Sequence, residues 1–84
     1  MQDLFKGKCA VVTGGSRGMG AEVVRQLQAQ GCRVAVLART ADHDVGDLNI
    51  VCDVADEASQ QAAFKRIADT FGRLDYAFIN AGVS

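Results

Sequence analysis

Between Val11 and Val24 the chain reads VVTGGSRGMGAEVV: an apolar run stops at Gly14 and Gly15, and a helix-like segment begins around Gly18 and Gly20. Glycines at the junction of two regular elements remove side chains where the backbone turns, so another group can approach it closely. On one side, Cys9–Thr13 (CAVVT) is short, apolar and β-branched, which suits a strand buried on both faces. On the other, Gly20, Val23, Val24 and Leu27 follow helical spacing with Arg25, Gln26 and Gln28 outside, and Gly31 supplies a left-handed C-cap. The junction therefore reads as strand, glycine turn, amphipathic helix.

The rest of the chain repeats that alternation. Arg33–Ala38 (RVAVLA) is a second continuous apolar run, and Leu48–Cys52 (LNIVC) is a third, after the polar stretch RTADHDVGD. Asp53 or Asp56 can cap the next helix, whose predicted core face is Phe64, Ile67, Ala68 and Phe71 and whose stop is Gly72. Leu74–Ile79 (LDYAFI) forms the fourth strand. Apolar strands alternating with helices imply an α/β fold, a doubly wound parallel sheet covered on both sides and joined by right-handed crossovers. The Arg39–Asp47 stretch is short for a crossover that carries its own helix.

Composition narrows the classes. With 84 residues, 49% of them hydrophobic, and no proline, the chain is one globular unit rather than a disordered or fibrous one. A net charge of −1 with scattered lysines and arginines gives no electrostatic footprint for nucleic acid. The apolar run near the N-terminus is too short for a signal peptide or a membrane span, so a cytoplasmic location is expected. Cys9, Cys32 and Cys52 are widely spaced and odd in number, so they read as reduced, small apolar side chains in or beside strands. Four strands need more covering helices than two, and the fourth stands apolar at a sheet edge. The expectation is that residues 1–84 are the N-terminal part of a single larger domain, or that another chain covers this surface.

A glycine turn leading from a strand into a helix N-terminus makes an anion site, because backbone N–H groups and the helix dipole face the ligand. Gly15 and Gly20 have P-loop spacing, but Ala21 and Glu22 stand where that motif needs Lys and Ser/Thr. The strict G-x-G-x-x-G fingerprint also fails, since Val23 occupies its third glycine position. The remaining plain reading is a tight turn that binds nothing.

What fits is Thr13-Gly14-x-x-x-Gly18-x-Gly20, and here the sequence resembles the short-chain dehydrogenase/reductase family. The resemblance runs along the whole chain: the Gly7-Lys8 lead-in, the TGGSRGMG loop, Asp53-Val54 after the third strand, and Asn80-Ala81-Gly82 after the fourth. It implies a Rossmann-type sheet, an NAD(P)(H) cofactor, and hydride transfer between an alcohol and a carbonyl substrate by a complete protein that forms a homo-oligomer. Carried over by position, Gly14, Gly18 and Gly20 shape the loop against the pyrophosphate, and Ser16, Arg17 and Met19 line the ribose and phosphates. Asp53, with the Val54 backbone, faces the adenine amino group. Asn80, Ala81 and Gly82 sit beside the riboses, and Asn80 also ties strands together.

An NAD site places an acid at the end of the second strand, about twenty residues past the loop. Ala38 and Arg39 stand there instead. A guanidinium grips a 2′-phosphate that an acid would repel, so Arg39 with Arg17 favours NADP(H), with NAD(H) as the alternative. The family's Tyr-x-x-x-Lys pair is absent: the only tyrosine, Tyr76, has Asn80 four positions on. No catalytic residue is therefore assigned within these 84 residues. His43 among Asp42, Asp44 and Asp47 lacks a second ligand group, so no metal is assigned either. The competing reading from another class is a non-catalytic nucleotide sensor or scaffold built on a half-Rossmann unit.

Overall fold

The computed structural model describes residues 4–14, 18–39, 45–53 and 55–79. Its elements run β1 (Cys9–Thr13), α1 (Gly18–Ala29), β2 (Arg33–Ala38), β3 (Leu48–Val51), α2 (Glu57–Phe71) and β4 (Tyr76–Ile79). The strands form one sheet in the order β3-β2-β1-β4, with every pair parallel. The expected α/β sheet is thus present, with β1 and β2 at the predicted bounds. The third strand stops at Val51 rather than Cys52, and the fourth starts at Tyr76 rather than Leu74.

Strand alternation divides the core into two layers. Cys9 and Val11 of β1 and Ala35 and Leu37 of β2 face Ala63, Ile67 and Phe71 of α2. Ala10 and Val12, with Val34 and Val36, face Val24 and Leu27 of α1 on the other side. Residues of the two central strands are buried on both faces, which is why their apolar runs are unbroken. The edge strands are different: Val51 of β3 is 56% exposed and Ile79 of β4 is 68% exposed. Burial on both faces, expected for all the strands, therefore holds only for the central pair.

Each helix ends in the predicted glycine, by two distinct hydrogen-bond patterns. After α1, the Cys32 N–H donates to the Leu27 carbonyl at 3.0 Å and the Gly31 N–H to that of Gln28 at 3.0 Å, a Schellman motif. After α2, a single bond from the Gly72 N–H to the Ala68 carbonyl (2.9 Å) closes the last turn. The cap at the start of α2 is Asp56, whose carboxylate accepts from the Ala58 N–H. Its buried face includes Ala63 in place of the expected Ala68, which is exposed.

Two aspartates set the amino edge of the sheet in the same way. Just before β3, Asp47 donates its N–H to the Val34 carbonyl (2.8 Å) and accepts the Val34 N–H on Oδ2 (2.8 Å). Just before β4, Asp75 donates its N–H to the Cys9 carbonyl (2.8 Å) and accepts the Cys9 N–H on Oδ2 (2.9 Å). Each carboxylate satisfies an N–H near the start of a central strand. Between β2 and β3 the chain then passes close to β2 at Gly46, where an added Cβ would lie 2.6 Å from Val36 Cγ2 and 2.9 Å from the Val34 carbonyl oxygen. Asn49 secures that passage, accepting the Gly46 N–H at 3.0 Å and donating to its carbonyl at 2.9 Å.

The Arg73 guanidinium grips Asp75 through both oxygens at 2.8 Å, and with the Cys9 N–H it holds that carboxyl below its ordinary value of 3.8. A carboxyl lowered on folding stabilises the fold above its unfolded value and loses that contribution as pH falls through the depressed folded value. Asp75→Asn keeps an oxygen acceptor but cannot titrate. Its urea midpoint is expected to fall at neutral pH and to vary less across the acid range than the wild type's; an equally steep pH dependence would contradict this role.

Candidate functional site

Parallel pairing brings every strand exit to one edge. Thr13 is level with both Leu37 and Ile79, and Ala38 is level with Val51. Gly14, Arg39 and Asp53, which follow β1, β2 and β3, therefore gather at the carboxyl edge together with the N-termini of α1 and α2. Between β2 and β4 the sheet changes direction around β1, and open α/β sheets hold their ligands in the crevice at such a point.

Gly14 adopts φ 68° and donates its N–H to the Leu37 carbonyl at 2.8 Å. Its amide thus belongs to the sheet. Gly18 has φ 56°, and a Cβ built there meets no atom within 4 Å. Among the described residues no packing contact requires glycine at this position; the backbone conformation does. Gly20 is buried, and Met19 between the two glycines is 84% exposed.

The two helix N-termini carry opposite chemistry. The first N–H groups of α1 have no carbonyl within the helix to reach, and its first turn contains no acidic residue. Glu22 lies one turn further on, its carboxyl lowered by hydrogen bonds from Gln26 and Arg25 and by the Arg25 charge. By contrast, α2 begins with the Asp56 carboxylate on its own amides and Glu57 in its first turn. An anion is accordingly favoured at α1 and disfavoured at α2.

Arg39 is exposed just past β2 and makes no ion pair among the described residues. Asp53 is exposed past β3, and its Oδ1 accepts the Ala55 N–H at 3.0 Å. Arg39 thus places a positive charge past β2 and Asp53 a negative charge past β3. Of the residues expected to hold the cofactor, Gly14, Gly18, Met19, Gly20, Arg39 and Asp53 meet at this edge. Ser16, Arg17, Val54, Asn80, Ala81 and Gly82 lie outside the described residues, as do Asp42, His43 and Asp44.

Other reactive groups are committed elsewhere. Tyr76 is level with Ala10 near the amino edge, donates its hydroxyl to the Leu4 carbonyl at 3.1 Å, and stacks edge-on against Phe5. Cys9, Cys32 and Cys52 are free and buried, as their apolar surroundings in the sequence implied. Burial, with the nearby Asp47 and Asp75 carboxylates, pushes the Cys32 thiol above its ordinary value. No group of metal-ligating side chains occurs among the described residues, nor any helix long and apolar enough to cross a membrane. Ser59, which packs behind Asp53, carried no signal in the sequence beyond its place in a helix.

Comparison with known proteins gives this edge a context. Residues 8–84 match the sequence pattern of the short chain dehydrogenases. A (+)-cis,cis-nepetalactol synthase of Nepeta racemosa is 36% identical over 99% of this chain and 34% of its own length. A cis-2,3-dihydrobiphenyl-2,3-diol dehydrogenase of Paraburkholderia xenovorans is 36% identical over 94% of this chain and 31% of its own. A 3-ketoacyl-(acyl-carrier-protein) reductase from Brucella melitensis, crystallised in complex with NADH, superposes with a TM-score of 0.81 at 26% identity, over 86% of this chain and 33% of that one. The chain spans about a third of the length of the curated relatives it matches.

The conformation of Gly18 makes a direct prediction. Gly18→Ala places a Cβ at φ 56° in open space, so it is expected to cost about 1–2 kcal/mol through the backbone alone. Denaturant titration checks this, and a variant as stable as the wild type would show that the turn takes a different conformation.

Proposed function

The chain belongs to the short-chain dehydrogenase family, and from that premise we propose that it is the NADP(H)-binding part of an oxidoreductase. The complete protein transfers hydride between a small alcohol and its carbonyl form, and these residues form the N-terminal part of its single Rossmann domain. The observation that carries the reading is the turn from β1 into α1: Gly14 and Gly18 flank it with positive φ, and open space lies off Gly18 where the sheet changes direction.

In this reading the α1 N-terminus and the turn hold the pyrophosphate, with Ser16, Arg17 and Met19 along the phosphates and adjoining ribose. Gly20, buried in the first turn of α1, lets the helix lie close to the sheet. Asp53 accepts the adenine amino group beside the Val54 backbone, and Asn80, Ala81 and Gly82 border the riboses. When bound, the nicotinamide ring gives or takes the hydride. The chain's own residues bind and orient it; the groups that move the substrate's proton belong to a part of the protein these residues do not supply. Three reduced, buried thiols support a cytoplasmic setting.

The preference for NADP(H) rests on Arg39. An acid at the end of β2 would hold a ribose 2′-hydroxyl, whereas an exposed guanidinium there, with no ion-pair partner among the described residues, suits a 2′-phosphate. NADH in the Brucella melitensis relative leaves NAD(H) as the competing cofactor. Arg39→Asp is expected to weaken NADPH binding roughly tenfold to a hundredfold while NADH binding changes much less. Titration calorimetry with both cofactors reads this directly, and an unchanged preference would remove Arg39 from the site.

A further inference from the structure

We propose that Ser59 is a positioning residue for Asp53, setting the carboxylate that meets the adenine; this rests on the reading above that Asp53 faces that ring. Ser59 is the third residue of α2, the position from which a side chain in a capping box returns to the N–H of the N-cap residue. Here that N–H, on Asp56, already donates to the Asp53 carbonyl at 3.0 Å. The Ser59 hydroxyl instead reaches past it and accepts the Asp53 N–H at 3.1 Å.

The hydroxyl's own proton has a fixed destination. It donates to Cys52 Sγ at 3.5 Å, and Cys52 is 1% exposed, so the sulfur belongs to the core. A serine oxygen with its donor directed to a buried sulfur and an acceptor site filled by an amide has one orientation rather than a free rotor. Through it the backbone of Asp53 is tied to α2 and to the end of β3 at once. With its N–H on Ser59, its carbonyl on Asp56 and its Oδ1 on Ala55, Asp53 is held at three points. Oδ2 has no partner among the described residues.

Recognition of an amino group by a carboxylate needs the acceptor held within about half an ångström of its working position. Ser59 supplies that precision without touching the ligand. Removing its hydroxyl leaves the cap of α2 in place, because Asp56 still accepts the Ala58 N–H at 3.1 Å. The main consequence is thus a looser Asp53 rather than a lost helix.

A double-mutant cycle with NADPH as the probe, followed by titration calorimetry on the full chain, tests this. Ser59→Ala is expected to weaken binding roughly two- to tenfold, Ser59→Thr to retain wild-type affinity, and Ser59→Ala to add nothing in an Asp53→Ala background. Wild-type affinity in Ser59→Ala, an equal loss in the Asp53→Ala background, failure of Ser59→Thr to restore binding, or collapse of the fold in Ser59→Ala would each overturn the proposal. A wild-type chain that binds neither NADPH nor NADH would instead overturn the proposed function, and the role of Ser59 with it.

Discussion

Parallel pairing of β1 with both β2 and β4 is the constraint on which the rest depends. Because the pairs are parallel and nearly level, the chain leaves every strand at one edge, and each following turn or helix N-terminus opens there. That arrangement fixes where Gly14, Arg39 and Asp53 meet, although they are far apart in the sequence. It also needs β1 and β2 buried on both faces, which the valines and alanines of CAVVT and RVAVLA satisfy through α1 on one side and α2 on the other.

The two ends of the sheet do different work. At the amino edge, Asp47 and Asp75 close the starts of the central strands, and Tyr76 is engaged by the lead-in segment. Those groups are used by the fold itself. At the carboxyl edge, α1 has no acidic residue in its first turn, Arg39 has no ion pair among the described residues, and Asp53 is held by Ser59, Asp56 and Ala55. Arg39 past β2 and Asp53 past β3 are the positive and negative groups that the proposed ligand, with phosphates at one end and an amino-bearing base at the other, would meet.

How far this was legible in the sequence depends on the burial of each element. The bounds of β1 and β2 follow directly from unbroken apolar runs, since full burial leaves no polar residue to blur them. The edge strands are less sharply marked: Leu74 is 40% exposed and Asp75 is given over to Cys9, so the LDYAFI run starts two residues before the strand does. Alanine gives no periodicity signal, which is why Ala68 was expected in the core where Ala63 lies. At the site, the glycine pattern pointed to the turn, and Arg39 followed from its distance beyond it. The bonds made by Asp47, Asp75 and Ser59 leave no trace in spacing, because an aspartate before a strand or a serine in a first turn reads the same whether or not it reaches a distant amide.

The proposed function places a dinucleotide at the carboxyl edge, across the β1–α1 turn. Amide chemical shifts of the isotope-labelled chain, followed during titration with NADPH, test it most directly. Saturable changes are expected at Gly14, Gly18, Met19, Gly20, Arg39 and Asp53, with Asp47, Asp75 and Tyr76 at the amino edge left unmoved. Changes confined to the amino edge, or no saturable change at all, would contradict it.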